Sequence, residues 1–445
     1  MDLEELTRQI RALPQGELLG RVTKVVGLIV ESRGPEAALG EQMLIHMGGG
    51  HSIAAEVVGF QEQRLLLMPI ENAEGLRPGL RVEATGHRPE LPVSGALLGR
   101  VIDPLGRPLD GRPAPEAEAR LPIHGQPPNP MRRRRIDQVL ATGVRAIDGM
   151  LTLGKGQRIG IFAGSGVGKS TLMGMIARNT SAQVNVIALV GERGRELKEF
   201  IDNDLGPEGL KRSVVVVATS DQTPLLRLRC ALSATAVAEF FMRQGKDVLL
   251  MMDSVTRFAM AQREVGLSAG EPPSSRGYTP SVFTLLPRLM ERAGTFEDYG
   301  SITGIYTVLV EGDDMNEPIS DAVRGILDGH VLLSRRMATK NHFPAIDVLG
   351  SISRLFSALA IPEQKQLVSK IRDLMATYND AEDLIQIGAY VKGSSPAIDQ
   401  AIHFQPAIQA FLRQAVAEGS TYQQTLLAMG QVFGVDLSPF LKQAI

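Results

Sequence analysis

The chain has 445 residues, 44% of them apolar and 22% charged, with 47 Lys and Arg against 49 Asp and Glu for a net charge of −2. That balance excludes a disordered chain and leaves no global field that would draw in nucleic acid. The single cysteine, Cys230, excludes an internal disulfide, and with no paired Cys/His spacing it argues against structural zinc.

Length sets a prior of about three domains. The first residues, Met1-Asp2-Leu3-Glu4-Glu5, are acidic and carry no signal-peptide core, and no apolar run reaches about 18 residues. The expectation is a cytoplasmic chain that meets a membrane only through partners. Residues 1–17 set Leu3, Leu6, Ile10 and Leu13 on one helical stripe, which Pro14 and Gly16 end. Such a helix packs on its own domain or docks a partner.

Residues 18–90 hold short β-like runs such as Val22–Val30, Ala54–Phe60, Arg64–Pro69 and Leu80–Thr85, separated by Gly, Pro and Asn. They predict a small β-barrel domain. Phe60 is its lone aromatic, so it lacks the stacking platform of a nucleic-acid barrel. Residues 91–140 form a connector rich in Pro and Gly, and Arg132-Arg133-Arg134-Arg135 reads as a solvated or interface strap rather than a nucleic-acid signal.

Residues 141–360 alternate apolar strands with helices, which predicts a parallel sheet covered on both faces. Ligands of such sheets sit at the carboxyl ends of the strands. One stretch organises this domain: the strand Arg158–Ala163, then Gly164-Ser165-Gly166-Val167-Gly168, then Lys169-Ser170-Thr171 opening a helix. Strand, glycine turn, Lys-Ser and helix are the context of a phosphate-binding loop. Glycines let backbone N–H groups approach an anion, and the helix adds the positive end of its dipole. Lys169 would reach the β- and γ-phosphates and Ser170 would be a magnesium ligand. Residues 361–445 read as a helical domain. The fold class is therefore α/β: an N-terminal β-barrel, a central phosphate-loop parallel-sheet domain and a C-terminal helical domain.

Asp253 closes the apolar run Val248–Met252, a pattern that suits a second magnesium ligand or a helix cap. Glu192 follows the strand 184–190. Residue type alone leaves it as the carboxylate that polarises an attacking water, or as a salt-bridge partner of Arg193 or Arg195.

Gly191-Glu192-Arg193-Gly194-Arg195-Glu196, taken with the loop at 163–171, resembles the catalytic subunits of the rotary ATP synthase family. Phe343-Pro344-Ala345-Ile346-Asp347 and Ser351-Ile352-Ser353-Arg354 extend the likeness, and 270–281 and 378–390 resemble the flagellum-specific and type III export branch. The resemblance covers about residues 18–440. It implies an ATPase working as a homohexamer, with ATP and Mg²⁺ bound at subunit boundaries and export of flagellar proteins as its task. Glu192 would activate water, with Arg193 as a neighbouring organiser. Arg257 would contact the γ-phosphate region, and Arg354 would enter the adjacent subunit's site as an arginine finger. Phe343 stands where the family often carries Tyr against adenine, and stacking needs only the ring. Implied partners are a stator-like regulatory export protein at residues 1–17, the export gate, chaperones and export substrates, at the cytoplasmic face of the inner membrane. The loop 270–281 would line the ring's pore. The rivals are a virulence-type injectisome ATPase, a ring-forming RNA translocase and a ring subunit that only binds nucleotide.

Overall fold

Residues 19–310, 312 and 314–440 are described by the computed structural model of the chain. The docking helix expected at 1–17 lies outside them.

Six strands close a barrel: β1 (Leu19–Val26), β2 (Ile29–Arg33), β3 (Gln42–Gly48), β4 (His51–Gln61), β5 (Arg64–Pro69) and β6 (Arg81–Ala84). They run antiparallel in the order β1-β2-β5-β4-β3-β6. Closure removes free strand edges. The interior is aliphatic, built on Val22, Val30, Met43, Ile45, Val57, Leu67 and Val82. Phe60 is 54% exposed, so the barrel holds no aromatic ring inside.

The larger unit begins with β7 (Glu90–Val93), β8 (Arg100–Ile102), β9 (Ala119–Pro122), β10 (Val139–Leu140) and β11 (Leu153–Gly154). Then come β12 (Arg158–Ala163), β13 (Val184–Glu192), β14 (Ser213–Thr219), β15 (Asp247–Asp253), β16 (Gly294–Thr295), β17 (Ser301–Leu309), β18 (Gly329–Leu333) and β19 (Ile346–Ser353). Nine of these make one sheet in the order β19-β18-β12-β17-β15-β13-β14-β8, with β16 hydrogen-bonded to β17. Pairing is parallel except at β16 and β19. β13, β14, β15 and β17 are buried almost end to end, because helices cover both faces and leave no polar side to alternate with.

The proline-rich stretch is more ordered than its composition suggests. Within it, β8 adds an edge strand to the sheet beside β14. Buried Arg100 forks onto Asp110 at 2.6 and 2.9 Å and also donates to the carbonyls of Arg112 and Pro113. That guanidinium holds the Asp110 carboxyl far below the usual range. The four-arginine run is a strap folded onto segment 291–299. Arg132 pairs with Asp298, and Arg133 donates to Ala293 O at 2.8 Å and lies over the Phe296 ring.

Helices Pro362–Gln386, Pro396–Leu412 and Tyr422–Gln431 form the C-terminal part. Each begins with Pro or a capping box, the last from Thr421 and Gln424. They share one core with the sheet. Ile147 and Met150 of the short helix Arg145–Met150 lie among Phe411, Leu426 and Met429. A Cβ on Gly149 would come within 2.8 Å of Met429 Cε and 2.9 Å of Phe411 Cζ, so a larger residue there would have to push these side chains aside.

Candidate active site

β12 ends buried at Ala163, and the chain then turns through Gly166 and Gly168 at φ of 76° and 90°. Side chains are strained in that left-handed region, which explains glycine at both positions. Gly168 is the N-cap of the helix Lys169–Asn179. Val167 is buried and anchors the turn, while Ser165, Gly166 and Ser170 are exposed at its rim. Gly164 is buried at the strand end. Thr171, expected among the phosphate ligands, has its side chain hydrogen-bonded to Asp204 in the π-helical segment Phe200–Leu205, which leaves its backbone N–H in the first turn of the helix as the group that could meet a phosphate. The side-chain bond ties the helix to that segment.

Three charged groups meet behind the loop. The Lys169 ammonium donates to Asp253 Oδ1 and lies 3.9 Å from Glu192 Oε1. Asp253 is the last residue of β15, and its Oδ1 also accepts the Thr307 hydroxyl of β17 at 2.7 Å. Glu192 ends β13 just after a break in register with β14 at Gly191, where φ is 69°. Such a bulge re-aims the side chain that follows it. Burial, and then the Asp253 carboxylate, push the Glu192 carboxyl up to about 7 against the pull of Lys169 and Arg257. A carboxyl near neutrality in a buried site is suited to take a proton at physiological pH.

Arg257 joins this group. A Cβ on Gly191 would sit 3.4 Å from Arg257 Cβ and 3.5 Å from its Cδ, so the arginine packs across the bulge beside Glu192. Arg193 does not join it. Its side chain is 74% exposed and pairs with Glu196 at 3.4 Å.

Phe343 borders the loop from another direction. Its ring is 41% exposed, and a Cβ on Gly168 would lie 3.7 Å from two of its carbons. An exposed ring beside a phosphate loop is a ready wall for a base. Arg354 lies at the other end of the sheet. Leu333 pairs with Ala163 at the loop end of β18, whereas the Arg354 N–H bonds Asp328 O, just before the far end of that strand. The strand length between them is roughly 13 Å at about 3.3 Å per residue, beyond what an arginine side chain spans. Arg354 is exposed there and cannot reach its own loop.

Sequence reasoning passed over Thr307, which orients Asp253, and Arg227, whose Cδ lies 3.6 Å from the same Gly191 Cβ position. Thr307 is one of three hydroxyl residues in Ile302–Val308, and nothing in the sequence sets it apart from Thr303 or Tyr306. Arg227 sits in a helix where nothing in spacing singles it out.

The nucleotide-binding domain of the ATP synthase alpha/beta family matches residues 143–353, and that family's beta-barrel domain matches 22–86. The T3SS EscN ATPase C-terminal domain matches 360–431. The flagellum-specific ATP synthase of Bacillus subtilis (strain 168) is 56% identical over 93% of this chain and 95% of its own length. The type 3 secretion system ATPase of Xanthomonas euvesicatoria is 51% identical over 95% of each chain. The structure of the assembled ATPase EscN, from the enteropathogenic E. coli type III secretion system, superposes with a TM-score of 0.88 at 46% identity, covering 93% of this chain and 99% of that one. These likenesses run through barrel, sheet and helical end alike, and the chain belongs to the ATP synthase alpha/beta family, as a phosphate-loop ATPase of its flagellar and type III secretion branch.

Proposed function

We propose that the chain powers a flagellar protein-export apparatus, hydrolysing ATP to ADP and phosphate at the boundaries between copies in a homohexameric ring. One observation carries this reading. Lys169, Glu192 and Asp253 converge behind the loop, whereas Arg354 is exposed at the opposite end of the sheet, out of reach of its own loop, which supports a role toward another copy.

In this reading the loop N–H groups of 164–170 and the Lys169 ammonium bind the phosphates, and Phe343 supports the base. Glu192 holds the attacking water and accepts its proton. Arg257 steadies Glu192 and faces the developing charge. The neighbour's Arg354 supplies a cation to the transition state, worth roughly 10³–10⁵ in rate. Arg193, being exposed, organises the rim rather than the reaction.

The oxygen donors suit magnesium. Lys169 and Thr307 both meet the Asp253 carboxylate at Oδ1, and Ser170 is exposed at the rim. A hard cation held by one carboxylate, one hydroxyl and substrate phosphates needs no cluster of acidic residues, and no three-residue cluster occurs among the described residues. When bound, Mg²⁺ would neutralise the β- and γ-phosphate oxygens.

The proposed setting is the cytoplasmic face of the inner membrane, reached through partners; no helix among the described residues is long and apolar enough to cross a membrane. Residues 1–17 would dock a stator-like partner, and the export gate, chaperones and substrates complete the proposed assembly. Service in an injectisome is the second reading, favoured by the 51% identity to the Xanthomonas type 3 secretion ATPase. An RNA translocase is disfavoured by a barrel whose one Phe, Tyr or Trp is Phe60, too few for a stacking platform. The test is phosphate release from ATP with magnesium and with excess EDTA, plus complementation of a strain lacking the gene. Activity that needs magnesium, with motility restored by wild type and not by Lys169→Ala, supports the flagellar reading. Normal motility in the deletion strain contradicts it.

A further inference from the structure

Phe343 stands at the end of a short segment that begins with the helix Arg335–Thr339. A five-residue helix has little stability of its own. Its N-cap Ser334 accepts the Met337 N–H at a long 3.4 Å. Ala338 packs against the core, and a carboxylate from elsewhere in the unit ties the helix down as well. Glu382, in the last turns of the long helix Pro362–Gln386, is only 8% exposed. It accepts the Lys340 ammonium at 2.6 Å, the Arg336 guanidinium, and the Gln386 amide at 3.0 Å. Lys340 and Arg336 are half exposed or more, so the buried partner of the pair is the carboxylate. A carboxylate that buried stays where its cations are, and fixes them in turn.

Only Asn341 and His342 separate Lys340 from Phe343. Asn341 turns the chain at a left-handed φ of 53°, leaving little slack. From the other side, Phe343 O accepts the Gln414 N–H at 3.1 Å, and His342 Nδ1 accepts from Arg413 at 3.3 Å. The segment that carries the base-side ring is thus tied at one end to the helix Pro362–Gln386 and at the other to Arg413 and Gln414, just past the helix Pro396–Leu412.

We infer that Glu382 is a positioning residue for nucleotide binding: through Lys340 and Arg336 it sets where the Phe343 ring stands, and so how tightly the base is held. The inference rests on the reading of Phe343 as the base-side wall. It separates two halves of one site. Loss of the Glu382 anchor loosens the base half and leaves the phosphate half as it was.

The experiment compares ADP with inorganic pyrophosphate, which carries the same two phosphates without adenosine. Both are titrated calorimetrically into the full-length wild type, Glu382→Gln and Lys340→Met. Coupling through a packed segment is worth about 2- to 30-fold in affinity. Glu382→Gln should weaken ADP by that factor and leave pyrophosphate within about twofold, and Lys340→Met should act in the same direction with smaller size. The half-exposed Lys340 variant keeps the test open where the buried substitution fails to fold. Equal weakening of both ligands would mark Glu382 as a general structural residue and overturn the inference, as would no change in either. A wild type that binds pyrophosphate as tightly as ADP would remove the base-side wall itself, and the inference with it.

Discussion

Replacing Glu192 with Gln keeps the size of the side chain and removes its ability to accept a proton. The site around it stays closed, because Lys169 keeps its ion pair with Asp253 and Arg257 stays packed across Gly191. The loss is therefore confined to the chemical step. A positioned carboxylate base contributes roughly 10²–10⁴-fold, which corresponds to about 3–5 kcal/mol of transition-state stabilisation. The variant also removes one of two carboxylates that face the arriving triphosphate, so nucleotide affinity should hold or improve. Because burial and Asp253 push the wild-type carboxyl up to about 7, its proton-accepting form is lost as pH falls through that value. Wild-type kcat/KM should therefore decline on the acid side of about pH 7, and the residual rate of Glu192→Gln should lack that limb. The assay is steady-state phosphate release across pH 5.5–8.5, a window of about one and a half units either side of neutrality, with ATP binding measured in parallel. Turnover within about tenfold of wild type at neutral pH would refute the assignment of Glu192 as the base.

Three further expectations concern stability. Glycine in a helix normally costs about 1 kcal/mol relative to alanine. Exposed Gly325, with open space at its Cβ position, should thus gain roughly 0.5–1 kcal/mol on change to Ala. Gly174 should do the opposite, because its Cβ would fall 2.5 Å from Asp204 O. Overpacking against backbone costs about 1–3 kcal/mol, read from the urea midpoint. Arg292, 1% exposed, forks onto buried Glu239 at 2.7 and 3.0 Å. Arg292→Leu should cost about 3–5 kcal/mol by stranding that carboxylate, and adding Glu239→Leu should recover most of it.

Much of this was readable from the chain. The glycine loop, the strand-end Asp253 and the buried parallel strands carry strong local patterns, since strand burial on both faces leaves long apolar runs. The family likeness supplied Arg354 and Phe343, which no periodicity picks out. Other features depend on contacts distant in sequence. β8 is three residues in a proline-rich stretch and becomes a strand only because β14 offers an edge. The bond between the Thr171 side chain and Asp204, 33 residues on, leaves no mark in the motif itself. Arg193 shares the catalytic motif with Glu192, yet the bulge at Gly191 turns one inward while the other faces solvent. The grip of Glu382 on Lys340 spans 42 residues and leaves no trace in local spacing.

The central claim is that the site is completed across a boundary between copies. Its most direct test mixes two inactive variants, Lys169→Ala and Arg354→Ala, and follows ATP hydrolysis as the ratio changes at fixed total protein. Each alone should be at least about 10³-fold below wild type. In mixed rings, the intact loop of one variant meets the intact arginine of the other, and activity should rise to a maximum at intermediate ratios. A mixture that co-assembles yet stays at the baseline, or an Arg354→Ala protein as active as wild type, would contradict the claim.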